Sequence, residues 1–244
     1  MDISTDQIVY FQWGLIELNA TIVYSWGVIV LIAIASWLIT RNIKINGKIS
    51  RTQAFLEALI SFMRREIHDV TQSRADLYLP FIGSFYLYIA VANFLSFVPG
   101  YEAPTGSLTT TGVLAAYVFF AVPVYGIYNA GLKGFLKHYV TPTPLMLPFN
   151  IIGELSRTLA LAVRLFGNVM SGTLIVAILL SVAPLFFPVI MQALGLLIGQ
   201  IHAYIFAVLS LVYIGSASRA HKEKIEKKTE NSDKNDKEDS DERS

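Results

Sequence analysis

Glu154, Arg157 and Arg164 interrupt the otherwise apolar run NIIGELSRTLALAVRLFGNVMSGTLI, residues 150–175. An arginine in hydrocarbon costs from about 3 kcal/mol on insertion scales to 10 or more in simulations. A chain carries such a charge only where it snorkels, pairs, or faces water or another protein. At about 100° per residue, Asn150, Glu154, Arg157, Arg164, Asn168 and Ser171 fall close to one face of a helix. Leu155, Leu159, Ala162, Val163, Phe166 and Val169 cover the rest. The chemistry open to this stripe is electrostatic: it can attract, hold or turn back a charge that moves along protein or a water-filled path.

Arg157 precedes Arg164 by seven residues, so the two nearly eclipse. Glu154 stands one turn before Arg157 and can pair with it. Arg164 has no carboxylate on its own helix, since its neighbours one turn away are Ala160, Leu161, Gly167 and Asn168. The next apolar run, 188–218, has no Asp or Glu either. Either Arg164 bonds backbone carbonyls or snorkels, which its place midway along the run makes awkward, or it faces a partner's carboxylate; its position favours the latter. In the next run Gln192, Gly195, Gly199, His202, Phe206 and Tyr213 share a face. Gly195 and Gly199 form a GxxxG pair that admits close helix approach, and plain packing explains it at least as well as an ion path. His202 is open to two readings, a satisfied interior histidine or a proton relay.

The elements that must position these groups follow from composition. Of 244 residues, 54% are hydrophobic, and several apolar runs exceed 18 residues. The expected fold is therefore an all-α membrane protein. A β-barrel would instead show ten-residue alternation. There is no cysteine, hence no disulfide and no thiolate site. No HExxH, GxSxG or phosphate loop occurs, and of His68, His138, His202 and His221 only His202 lies in a span. No catalytic residue, metal site, cofactor or nucleic-acid partner is expected; the bilayer is the chain's evident surrounding.

Five spans are expected, at about 21–40, 77–98, 112–132, 147–182 and 188–217. Residues 52–72 read as an amphipathic helix on the membrane surface, with a helix packed on its neighbours as the plainer option. The last two spans each exceed the roughly 20 residues of an upright crossing, so they should tilt or protrude. SVAPLFFP between them, with Pro184 and Pro188, makes a long hairpin. Residues 219–244 hold 8 basic and 9 acidic residues and almost nothing apolar, so a disordered charged tail is expected.

Charge sets the expected orientation. The first 20 residues hold no Lys or Arg, and they lack the basic start and cleavage site of a signal peptide, so they read as mature, outside sequence. Basic residues fill the 41–76 and 133–146 loops, while the loop around Glu102 and the 182–188 turn have none between their spans. By the positive-inside rule the N-terminus is outside and the tail cytoplasmic. No internal repeat is evident, which disfavours an inverted-repeat transporter.

RLFGN at 164–168, preceded by ELSRTLALAV and followed by VMSGTLI, resembles subunit a of the membrane (Fo) sector of F-type ATP synthases. HAYIFAVLSLVYIG at 202–215 is similar to that family's last helix. The resemblance covers about residues 20–218, and ELSRTLALAVRLFGNVMSG also resembles the alternate N-type branch. It implies a non-catalytic stator subunit of a bacterial or archaeal cell membrane, beside a rotating ring of c subunits that each bear an essential carboxylate. Peripheral-stalk b subunits would hold it, and the F1 sector would connect indirectly. The family's essential arginine maps onto Arg164, which would draw the ring carboxylate into its ionised form and block a leak between two half-channels. Asn168 would line the same interface, and Glu154 with Arg157 would serve the cytoplasmic half-channel.

The chain departs from that pattern. A carboxylate often stands at the place of Asn150, and an ionisable residue at that of Thr173, partnered from about Gly195. A glutamine usually stands at His202. The family's outer acid–base pair is therefore not visible, and Glu102, His202, or waters along Ser171, Thr173 and Gln192 are the candidates to replace it, in an H⁺ or a Na⁺ path. Two rival readings remain at this point: a secondary transporter with Arg164 as an anion site, and a scaffold in which Arg164 docks a helix.

Overall fold

The structure, a computed structural model, describes residues 9–13, 16–41, 50–71, 75–98, 101, 103–140, 145–182 and 190–215. The expected tail and the break between the last two helices lie outside them, as does Glu102. Helices α1 (Ala20–Arg41), α2 (Arg51–Thr71), α3 (Ala75–Leu95), α4 (Leu108–Val140) and α5 (Met146–Val182) are followed by α6 (Ile190–Gly215). Among the described residues, five helices are long and apolar enough to cross a membrane: α1, α3, the first part of α4, α5 and α6. The protein is an all-α membrane protein in its main body. The sequence reading did not anticipate a short antiparallel hairpin ahead of α1, made of β1 (Val9–Trp13) and β2 (Ile16–Asn19), with Gln12 opposite Glu17.

Helix α3 is the hub. Its Tyr78, Ile82, Phe85 and Ile89 recur at spacings of three and four and are buried. That stripe meets Met63 and Ile67 of α2, Val118, Ala121 and Val122 of α4, Leu161 and Leu165 of α5, and Ala203, Phe206 and Leu211 of α6. Helix α1 stands apart. It is apolar all round, and Trp26, Ile29, Val30, Ile34 and Trp37 are exposed, as suits a helix bathed in lipid. Its ties inward include the Tyr88 hydroxyl donating to Ser25 Oγ at 2.9 Å.

Helix α2 divides its apolar side. Met63 and Ile67 are buried against the bundle, and Phe55, Ile60 and Phe62 stay exposed. It is amphipathic as expected, and it is also docked: Tyr204 of α6 donates to Glu66 Oε2 at 2.7 Å, and Arg64 pairs with Asp76 of α3 at 2.8 Å. Helix α4 runs past the expected end of its span. Gly131, at φ 70°, breaks it into two helical pieces, a backbone shape that glycine adopts without a Cβ clash. The 37 residues of α5 come to about 55 Å and the 26 of α6 to about 39 Å. Both exceed the hydrocarbon thickness of about 30 Å, so each must tilt or emerge from it.

Candidate functional site

Helix α5 buries one narrow face. Leu161 and Leu165 are 1% and 2% exposed and pack on α3, α4 and α6. Four residues apart, they define the inner face, and Arg164 lies about 60° from Leu161 and about 100° from Leu165, at the edge where α5 meets α6. On the outer side Ile151, Ile152, Leu155, Leu159 and Val163 are all exposed. Arg164 is thus an exposed cation bordering a broad apolar surface, with no ion pair among the described residues. Such a surface in a membrane is covered by lipid or by a protein partner.

Arg164 shares a groove with His202. Leu161, Leu165, His202, Ile205, Phe206 and Leu209 line it with the arginine. His202 is half-buried, and its Nδ1 lies 3.2 Å from the Ile198 carbonyl. A carbonyl only accepts, so in that contact Nδ1–H donates.

Further along α5, Arg157 Nη1 and Glu154 Oε2 are 3.6 Å apart. The carboxylate is the inner partner, with 14% of its side chain exposed against 55% for the guanidinium. Seven residues, or about 10 Å of helix, separate Arg157 from Arg164. Asn150 and Asn168 are half-buried on the same stripe.

The remaining sequence candidates do not join the groove. Thr173 comes nine residues after Arg164, half a turn out of phase, and its exposed hydroxyl donates to the Met170 carbonyl at 2.9 Å. Ser171 donates to the Asn168 carbonyl at 3.0 Å. Gln192 is half-buried, about 15 Å along α6 from His202. The two glycines of the GxxxG pair part company. Gly195 has nothing within 4 Å of an added Cβ, whereas Gly199 lies against Asn93 of α3. Asn93 lies inside the expected 77–98 span, and the sequence alone assigns it no role. Its signal was there, because an amide in an apolar span must find partners. Outside the spans, burial pushes the Tyr101 phenol above its ordinary range, with the nearby Tyr88 and Tyr24 adding to it, so it stays neutral.

The family described as ATP synthase A chain matches residues 22–215, a stretch from α1 to the end of α6. The chain belongs to the ATP synthase A chain family. Its relatives agree along nearly their whole length. "ATP synthase subunit a 2" of Acaryochloris marina is 55% identical over 219 residues, covering 90% of this chain and 94% of the relative. "ATP synthase subunit a 1" of Crocosphaera subtropica is 53% identical over 224 residues, 92% of this chain and 97% of the relative. "ATP synthase subunit a" of Albidiferax ferrireducens is 51% identical over 226 residues, 93% and 98% respectively. Membership of the ATP synthase A chain family makes this a multi-pass membrane protein and leaves the secondary-transporter reading of Arg164 unfavoured.

Proposed function

We propose that the chain is the ion-translocating stator subunit of a rotary ATP synthase, and that Arg164 is the fixed cation its rotor passes. The observation that carries this reading is Arg164 itself: exposed at the edge of an apolar outer face, in a groove with His202, and without an ion pair among the described residues. Its counter-charge is then the carboxylate of each c subunit in turn. Two opposite unit charges 4 Å apart attract by about 4 kcal/mol at an effective dielectric of 20. A ring carboxyl arriving at Arg164 therefore releases its ion into one half-channel, and it leaves only after taking up another from the second. Arg164 stands between the two and stops a direct leak. Each elementary charge crossing 100 mV supplies about 2.3 kcal/mol, which this alternation turns into rotation.

The other site residues take supporting roles. The Glu154–Arg157 pair serves the cytoplasmic half-channel, and Asn168 lines the surface facing the ring. His202, with waters along Thr173 and Gln192, contributes to the path of H⁺ or Na⁺ that replaces the family's outer acid–base pair. Asn150, one turn before Glu154, lies on the cytoplasmic side with the Glu154–Arg157 pair. The N-terminus lies outside the membrane, the tail in the cytoplasm, and the b subunits and F1 sector complete the assembly.

Synthase reconstituted with Arg164→Ala tests the reading, with subunit content measured alongside. ATP-driven ion pumping should disappear while assembly stays near normal. Pumping at the parental rate rejects the proposal.

A further inference from the structure

Helices α3 and α6 are tied at two neighbouring points. Asn93 Nδ2 donates to the Gly199 carbonyl at 3.0 Å, and Gln200 Nε2 donates to the Ala90 carbonyl at 2.9 Å. The other end of the Asn93 amide is occupied too, since Thr105 Oγ1 donates to Asn93 Oδ1 at 2.9 Å. Asn93 is 4% exposed and Thr105 fully buried. An unmet amide in such surroundings costs several kcal/mol, so these bonds strongly favour one arrangement of the three elements.

The fit is close enough to dictate residue size. A Cβ on Gly199 would stand 3.1 Å from Asn93 Cβ. The short 3₁₀ turn that carries Thr105, Pro104–Gly106, goes on to meet α5, where a Cβ on Gly106 would lie 3.4 Å from Val169 Cγ1. Val169 follows Arg164 by five residues, and His202 follows Gly199 by three. One chain of contacts therefore runs from α6 through Asn93 and the turn to α5, ending within about a turn and a half of each residue in the groove.

We propose that Asn93 is a positioning residue: it sets the spacing and rotation of α5 against α6, and through them the groove shared by Arg164 and His202. It acts through the two helices and touches no ion, because both polar ends of its amide are engaged in the fold. The functional consequence rests on the stator reading above; the effect on helix spacing does not.

The chain has no cysteine, so Val163→Cys on α5 and Ile201→Cys on α6, both exposed, can carry the two spin labels of this subunit in assembled synthase whose other cysteines are removed. Asn93→Ala should shift or broaden the distance between them. It should also lower maximal ATP-driven pumping at least tenfold, with the half-saturating ion concentration unchanged. Gly199→Ala should do the same in the parent and cost less in Asn93→Ala, where the crowding Cγ and Nδ2 are gone although the Cβ, 3.1 Å away, remains. If Asn93→Ala does not assemble, the Thr105 variants decide: Thr105→Ser should keep the parental distance and Thr105→Val lose it. An unchanged distance in Asn93→Ala overturns the proposal, as do losses that multiply in the double variant. A shifted ion dependence at constant distance also overturns it, because Asn93 would then meet the ion itself. Normal pumping by Arg164→Ala would remove the stator reading, and the label distances would still decide the spacing.

Discussion

Arg164 of α5 and His202 of α6 line one groove, and Leu165, the residue next to the arginine, is buried against Phe206 in its wall. Consecutive residues thus divide the work. The leucine docks α5 on the bundle, and the guanidinium is held at the rim, where it can meet an outside partner. Packing of Leu165 fixes where the arginine's backbone stands, so an arriving carboxylate meets the charge without any movement of the helix.

Arg164→Lys keeps the charge and changes its shape. The ammonium is a compact, strongly hydrated point on a flexible stem, whereas the guanidinium is a planar, weakly hydrated fork suited to a carboxylate. ATP-driven pumping in Arg164→Lys should fall at least tenfold with assembly retained. Lysine supporting parental pumping would favour a mere helix-docking role.

The Glu154–Arg157 pair predicts an asymmetry. Arg157 is the exposed partner, so Glu154→Gln leaves a cation that water can solvate. Arg157→Ala leaves a largely covered carboxylate without its counter-charge, which is the costlier defect. Arg157→Ala should therefore lower pumping more than Glu154→Gln, and the double variant should be no worse than Arg157→Ala alone. Pumping rates of the three variants at equal subunit content check this.

Tyr204→Phe removes the hydroxyl that ties α6 to Glu66 of α2 and keeps the ring that contacts Phe62. A hydrogen bond to a charged acceptor contributes about 1.5–3 kcal/mol. Thermal unfolding of the detergent-solubilised variant should begin earlier, with α2 cut first by protease. Identical melting and digestion would show that the bond does not hold the helix.

The helices were legible in the sequence because each span is a long apolar run, and Arg164 was legible because a charge in such a run has few explanations. What escaped depends on distance along the chain. Asn93 and Gly199 are 106 residues apart, and only the fold brings them to 3.0 Å. Thr173 was carried by its place in a family pattern, while helical phase turns it away from Arg164. The extension of α4 beyond Gly131 was hidden because a basic segment reads as loop, although a positive φ at one glycine lets a second helical piece begin. The strands at Val9–Trp13 and Ile16–Asn19 are too short for alternation to stand out.

The central claim is that Arg164 faces a moving acid of another chain, and a cross-link reads it most directly. Gly167 lies one turn from Arg164, is exposed, and has nothing within 4 Å of an added Cβ, so Gly167→Cys disturbs no packing within the chain. In the assembled synthase it should form disulfides with cysteines placed beside the carboxylate on c subunits, and ATP turnover before oxidation should spread the bond over all copies in the ring. A cysteine at 167 that never reaches a c subunit, or that finds the same copy after turnover, would contradict the account.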